Sequence, residues 1–317
     1  MDLFFYKSKE DLKEELNKEI RSDNTQKVKT ILDYAIKNKI ILELNEKNED
    51  GSYPLLKAIN NNNIEIVQLL IDYATENKII LELNEKDEDG CYPLYYATDE
   101  NNIKMVQLLI DYAIENKIIL ELNEKNDNGW YPLLNTTYYN NIEIVQLLID
   151  YANNNKIILK LNEKSNSGYT PIFEAMQNNN IEMFKLLVEY SIENGIKLRI
   201  DKNDIEKMIS EKYPLCKLNN ISEINSKFIK LIYFYKNKNK IEVIFSGNSY
   251  FLKKLNEINE NERKAKEKTE KENESMKKEL ENERKTKEKI EKENELMKKE
   301  LENERKAKEK IKKKMNQ

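Results

Sequence analysis

Apolar side chains recur at three- and four-residue steps through Ile64, Val67, Leu70, Ile71 and Ala74, a spacing that places them on one face of a helix. The same face returns as Ile103, Val106, Leu109, Ile110 and Ala113, and again as Ile142, Val145, Leu148, Ile149 and Ala152. Ahead of the first of these runs stands a shorter apolar pattern, Leu55, Leu56, Ala58 and Ile59, opened by Pro54 and closed by the polar residues 60–63. Each unit therefore predicts two antiparallel helices, a short one and a longer one. Beyond the longer helix, Ile79, Leu81 and Leu83 alternate with Ile80 and Glu82, which predicts an extended return segment. Asn77, Asn116 and Asn155 stand where the longer helices end, and Asn suits a left-handed C-cap.

The pattern is a repeat. Segments beginning at Asn45, Asn84, Asn123 and Asn162 share one layout, NEKNEDGSYPLLKA in the first copy, with a period of 39 residues. Of the six glycines, Gly51, Gly90, Gly129 and Gly168 hold one fixed place in it, and Pro54, Pro93, Pro132 and Pro171 hold another. Gly supplies a positive φ in a tight turn, and Pro suits a first helical turn, where its missing N–H costs no hydrogen bond. One helix pair cannot bury its apolar face alone, whereas a stack of pairs buries it continuously.

A turn Gly, then Pro-Leu, then Ala, then a helix reading E-I-V-x-L-L resembles the ankyrin repeat, over roughly residues 5–250. The resemblance implies an all-α helix-turn-helix solenoid of about six repeats and a role in binding proteins. This chain departs from the family pattern in three ways. Tyr53, Tyr92 and Tyr131 stand where the signature has Thr before Pro, which survives only as Thr170. The signature His is replaced by Leu56, Tyr95, Leu134 and Phe173, so the hydrogen bonds usual to both residues must be replaced or lost. The period also exceeds the usual length of about 33 residues, with the excess near residues 74–79, which predicts a second helix about a turn longer.

The ends of the array are irregular, as terminal units facing water must be. Residues 1–44 read as an N-terminal capping repeat, with Leu12, Leu16 and Ile20 on a mostly charged helix. Four full repeats span 45–200. Residues 201–250, with Tyr213, Pro214 and Leu215 restoring the helix-start motif, read as a degenerate C-terminal repeat.

Residues 251–317 form a different segment. ERKAKEK begins at Glu262 and Glu304 and ERKTKEK at Glu283, a period of 21 residues or three heptads. Only about half of the a and d positions are apolar, Met276, Leu280, Ile290, Met297 and Leu301 among them, where a coiled coil wants nearly all. Glu-to-Lys pairs four apart, such as Glu267 with Lys271, stabilise an isolated helix by about 0.2–0.5 kcal/mol each. A solvated single helix, a weak parallel coiled coil forming a homodimer, and disorder all remain open readings of this tail.

From Glu262 onward 21 Lys and Arg face 16 Glu, a net of +5, so the rest of the chain carries −9 within the overall −4. The basic tail interleaves acids and carries no aromatic residue for stacking on bases, so no nucleic acid is expected as a partner. The apolar run at residues 3–6 is too short for a signal peptide core, and no run approaches the roughly 20 residues of a membrane span, so an intracellular, most simply cytoplasmic, protein with no membrane partner is expected.

The chain contains no His, which removes the commonest general base and zinc ligand, and no Gly-rich phosphate loop. The acidic turns, Asp87, Glu88 and Asp89 for example, resemble a calcium loop only faintly, because Lys57, Tyr96 and Asn135 stand where a bidentate Glu is needed. Cys91 and Cys216 read as packing residues. No enzyme, cofactor or metal is expected.

Positions that vary between copies separate from those the stack needs. They fall just after the turn Gly (Ser52, Cys91, Trp130, Tyr169) and along the short helix (Lys57, Tyr96, Asn135 and Glu174, with Asp99, Glu100, Tyr138 and Tyr139 further on). In the family that the chain resembles, these places line the binding surface. Trp130, Tyr96, Tyr138, Tyr139, Tyr169, Asp99 and Glu100 are accordingly the candidate partner-binding residues, since Trp and Tyr dominate binding energy at interfaces. The alternative for the aromatic group is packing between neighbouring turns.

Overall fold

In the computed structural model, residues 8–201, 231–232, 235, 241–244 and 250–315 are described. Helix pairs follow one another through the first part of the chain. They are α1 (Lys9–Arg21) with α2 (Thr25–Lys37), α3 (Pro54–Asn60) with α4 (Ile64–Glu76), and α5 (Pro93–Asp99) with α6 (Ile103–Asn116). Two more pairs follow, α7 (Pro132–Tyr138) with α8 (Ile142–Asn155) and α9 (Pro171–Gln177) with α10 (Ile181–Glu193). Each short helix packs on the next from α1 to α9, and α2 packs on α4 and α6 on α8, so the core runs continuously between successive pairs. A later helix, α11 (Tyr250–Met315), belongs to a second unit, 248–317, distinct from 1–247.

Pro opens each short helix from α3 to α9 at its first turn. Asn63, Asn102, Asn141 and Asn180 cap the long helices, each accepting the N–H three residues on. The buried face of α4 is Ile66, Val67, Leu70, Ile71, Tyr73 and Ala74, with Ile64 only half-buried. This corrects the expected face by one step at its start and adds a tyrosine to the core. On the capping helix α1, Leu12, Leu16 and Ile20 are all buried.

The long helices do not end on a left-handed Asn. Asn77 keeps φ −93°, and the left-handed residues are Lys78, Lys117 and Lys156, at φ 57–58°. The Asn carboxamide instead donates to the carbonyl four residues back, Tyr73, Tyr112 or Tyr151, at 2.9 Å. It adds a second bond to a last-turn carbonyl, Tyr73 O for example also accepting Asn77 N at 3.1 Å, and leaves the reversal to the next residue.

The return segments are extended but form no ladder with one another. Neighbouring side chains complete them instead. Asn84 donates to Ile119 O (2.8 Å) and accepts from Glu121 N (3.0 Å), and Asn45, Asn123 and Asn162 repeat both bonds one period away. From the following long helix the hydroxyls of Tyr73, Tyr112, Tyr151 and Tyr190 accept the N–H of Leu42, Leu81, Leu120 and Leu159 at 2.9–3.1 Å. The segments after α4, α6 and α8 thus satisfy both edges as a strand does, through an amide on one side and a phenol on the other. Only the last return segment forms a strand: β1 (Leu198–Asp201) pairs in parallel with β2 (Ile241–Ile244). That two-stranded sheet is a small exception to the expected all-α fold. The motif at 213–215 and Cys216, on which the sixth repeat partly rested, lie outside the described residues.

Candidate functional site

The turn tips are built by one recurrent device. Asn48, Asp87, Asn126 or Ser165 folds back to accept the N–H four residues on, so the residue after the turn Gly is fixed: Ser52, Cys91, Trp130 or Tyr169. Successive tips then bond directly, Asp127 N to Asp89 O and Asn166 N to Asn128 O at 3.0 Å. Gly129 is required twice over. Its φ is +77°, and a Cβ there would lie 2.8 Å from Asn166 N in the next tip.

On this frame Trp130, Tyr138, Tyr139 and Tyr169 come together. The Trp130 ring meets Tyr138 edge-on at 5.3 Å between centroids and lies 5.9 Å from Tyr169. Tyr138 in turn meets Tyr139 edge-on at 5.1 Å, and Tyr169 stacks on Phe173 at 6.0 Å. Such geometries suit the ring quadrupoles. Packing between turns is therefore real, yet it does not cover the group: Tyr138 and Tyr139 remain 50% and 42% exposed, and Trp130 and Tyr169 are half-buried.

Tyr96 stands elsewhere. Its hydroxyl donates to Asp87 Oδ2 at 2.7 Å and its ring meets Tyr95, so it braces its own turn, which corrects its placement with the other aromatics. Asp99 is half-buried and Glu100 exposed. Burial, then the Glu100 charge, raises the Asp99 carboxyl pKa, and burial followed by the Asp99 charge raises that of the Tyr139 phenol. Asp99 thus borders the aromatic patch from the preceding repeat.

Not every variable position of the short helices faces solvent. Asn135 and Glu174 are buried, at 1% and 2% exposure. Glu174 Oε1 finds no hydrogen-bond partner among the described residues, and burial pushes its carboxyl up to about 7. Burial likewise pushes the Cys91 thiol up to about 11, which holds it in the unreactive protonated form.

The tyrosines that replace the expected Thr explain themselves. Tyr53, Tyr92 and Tyr131 are buried and make no cap, but their hydroxyls reach the next repeat, Tyr131 donating to Lys160 O at 2.8 Å and Tyr92 to Glu124 O at 3.1 Å. Thr170 caps its own helix through Phe173 N.

Between the first helices and the turn tips of the N-terminal repeats lies a groove of about 1210 Å³. Its lining acids, Glu14, Glu46, Asp50, Asp87, Glu88 and Asp89 among them, outnumber the bases Lys18, Arg21 and Lys57. Among the described residues no cluster has the makings of a metal site, and no helix is long and apolar enough to cross a membrane.

No curated protein matches the chain. The family model for ankyrin repeats, in three copies, matches residues 20–120 and 112–198. Those residues hold the stacked pairs α2 to α10 and every turn tip described above, and they make up more than half of the chain, which therefore belongs to the ankyrin-repeat family.

Proposed function

We propose that the chain is a non-catalytic adaptor that holds one partner protein across its turn tips and short helices and spaces or joins it to another through α11. Ankyrin repeats are protein-interaction modules, and the observation that carries the finer reading is the half-exposed patch of Trp130, Tyr138, Tyr139 and Tyr169. Rigid aromatics of this kind give much contact area at small cost in side-chain entropy. The acidic groove and Asp99 favour a partner segment that carries basic side chains beside an apolar anchor.

The test is capture of partners from a cell extract by the full chain and by a Trp130→Ala, Tyr138→Ala double variant. Helical circular dichroism is expected to stay near wild type while the specific partner is lost or bound at least tenfold more weakly. Equal capture by both proteins rejects the surface, and gross unfolding returns the patch to packing.

A second reading, a tether acting through tail self-association, is favoured by one observation. Met276, Leu280, Ile290 and Met297, all on one heptad seam of α11, are each more than 50% exposed.

A further inference from the structure

A second surface shares no residue with the aromatic patch. In each return segment the two Leu face the core, as Leu81 and Leu83 do, and the residue before them turns outward. That residue is Ile41, Ile80, Ile119 or Ile158, and each is 52–55% exposed. A lone exposed Ile is ordinary, but four at one position of consecutive repeats form an apolar row. They lie outside the buried core, since more than half of each is exposed. The backbones of the last three are nevertheless held on both edges, as Asn45 grips Ile80 O and Glu82 N while Tyr112 grips Leu81 N. The row is therefore presented rigidly.

Two residues beyond each Ile, on the same outward side, the charge changes sign along the row. Glu43, Glu82 and Glu121 occupy the first three segments, then Lys160, and in the fifth segment, where Lys197 replaces the Ile, Arg199, all exposed. An apolar row that is acidic at one end and basic at the other is complementary to itself when reversed. A two-fold axis between the Ile119 and Ile158 segments sets Ile119 against the partner's Ile158, Glu121 against the partner's Lys160, and Glu82 against the partner's Arg199, while Ile80 meets the partner's Lys197. That is an isologous contact, in which one patch serves both copies.

We propose that the outward face of the return segments is a homodimer interface, on which a second copy of this chain docks antiparallel through the isoleucine row. The paired charges set the register, while the apolar row supplies most of the affinity.

Sedimentation equilibrium of the full chain tests this, in the wild type, Glu121→Lys, Lys160→Glu and the Glu121→Lys, Lys160→Glu double variant. These side chains are exposed, and circular dichroism checks that each variant keeps its helices. Each single reversal opposes like charges twice per dimer and is expected to weaken association at least tenfold, while the double variant recovers it. A wild type monomeric at tens of micromolar overturns the proposal. So do single variants that associate as the wild type does, the result expected if the tail alone pairs, and a double variant no better than the singles. Loss of partner capture by the Trp130 variant leaves these outcomes untouched, so the two surfaces fail independently.

Discussion

Glu174 occupies the short-helix position held by Lys57 and Tyr96 in other copies, yet it is buried with one carboxylate oxygen unpartnered. Its pKa is raised by burial from 4.5 to about 7, so the unfolded chain releases this proton before the folded one does. The contribution to stability is then fully present below about pH 4.5 and is lost as pH rises through 7. At about 1.36 kcal/mol per unit, the wild type should lose on the order of 3 kcal/mol across that window. Glu174→Gln keeps the shape and removes the titration. Thermal unfolding at pH 5 and pH 8 should show a smaller pH dependence for the variant and a higher midpoint than wild type at pH 8; an unchanged slope contradicts the assignment. The sequence placed Glu174 among surface positions because exposure depends on what the neighbouring elements cover, which a single repeat does not show. The tyrosines before Pro were opaque for a similar reason, since Tyr131 bonds carbonyls 29 and 32 residues away.

Secondary structure was far more legible. Three- and four-residue periodicity located the long helices, Pro marked the start of the short ones, and alternation identified the return segments. What the pattern did not reveal is how those segments close. Alternating Ile and Leu reads equally as a strand in a ladder or as a lone segment clamped by side chains, and the choice is made by Asn and Tyr from neighbouring repeats. Asn84→Ala removes both bonds to the 119–121 segment and should lower stability by about 1–2 kcal/mol, near 1 kcal/mol per net hydrogen bond. Urea titration checks this; a loss under 0.3 kcal/mol would mean water replaces the amide at no cost. The left-handed lysines were missed because Lys rarely adopts that conformation, and only the hydrogen bonds of the last turn, such as Ile79 N to Ala74 O, compel it.

At the scale of the whole chain, the two units differ in what stabilises them. Residues 8–201 bury apolar rows, whereas the described side chains of α11 are all exposed, and pairs such as Arg284 with Glu288 at 3.2 Å and Lys285 with Glu281 at 3.1 Å support it from within. Both units were visible in the sequence as separate periods. Whether the tail pairs was not, because its seam alternates Met, Leu and Ile with Asn, Glu and Lys. Leu280→Lys puts a charge on the seam and should weaken any tail pairing at least fivefold in sedimentation, with the array's cooperative melting unchanged. Association that ignores this change belongs to another surface.

The asparagine clamps bear on heredity as well as on stability. Because Asn45, Asn84, Asn123 and Asn162 each grip the segment that begins 35 residues later, excising 46–84 would hand Asn45 the same carbonyl and amide from the next copy. Every joint survives such a cut, and equally survives an added copy. Unequal recombination can therefore lengthen or shorten this array in whole steps without inventing a new contact, and each step changes how many turn tips and outward isoleucines the protein presents.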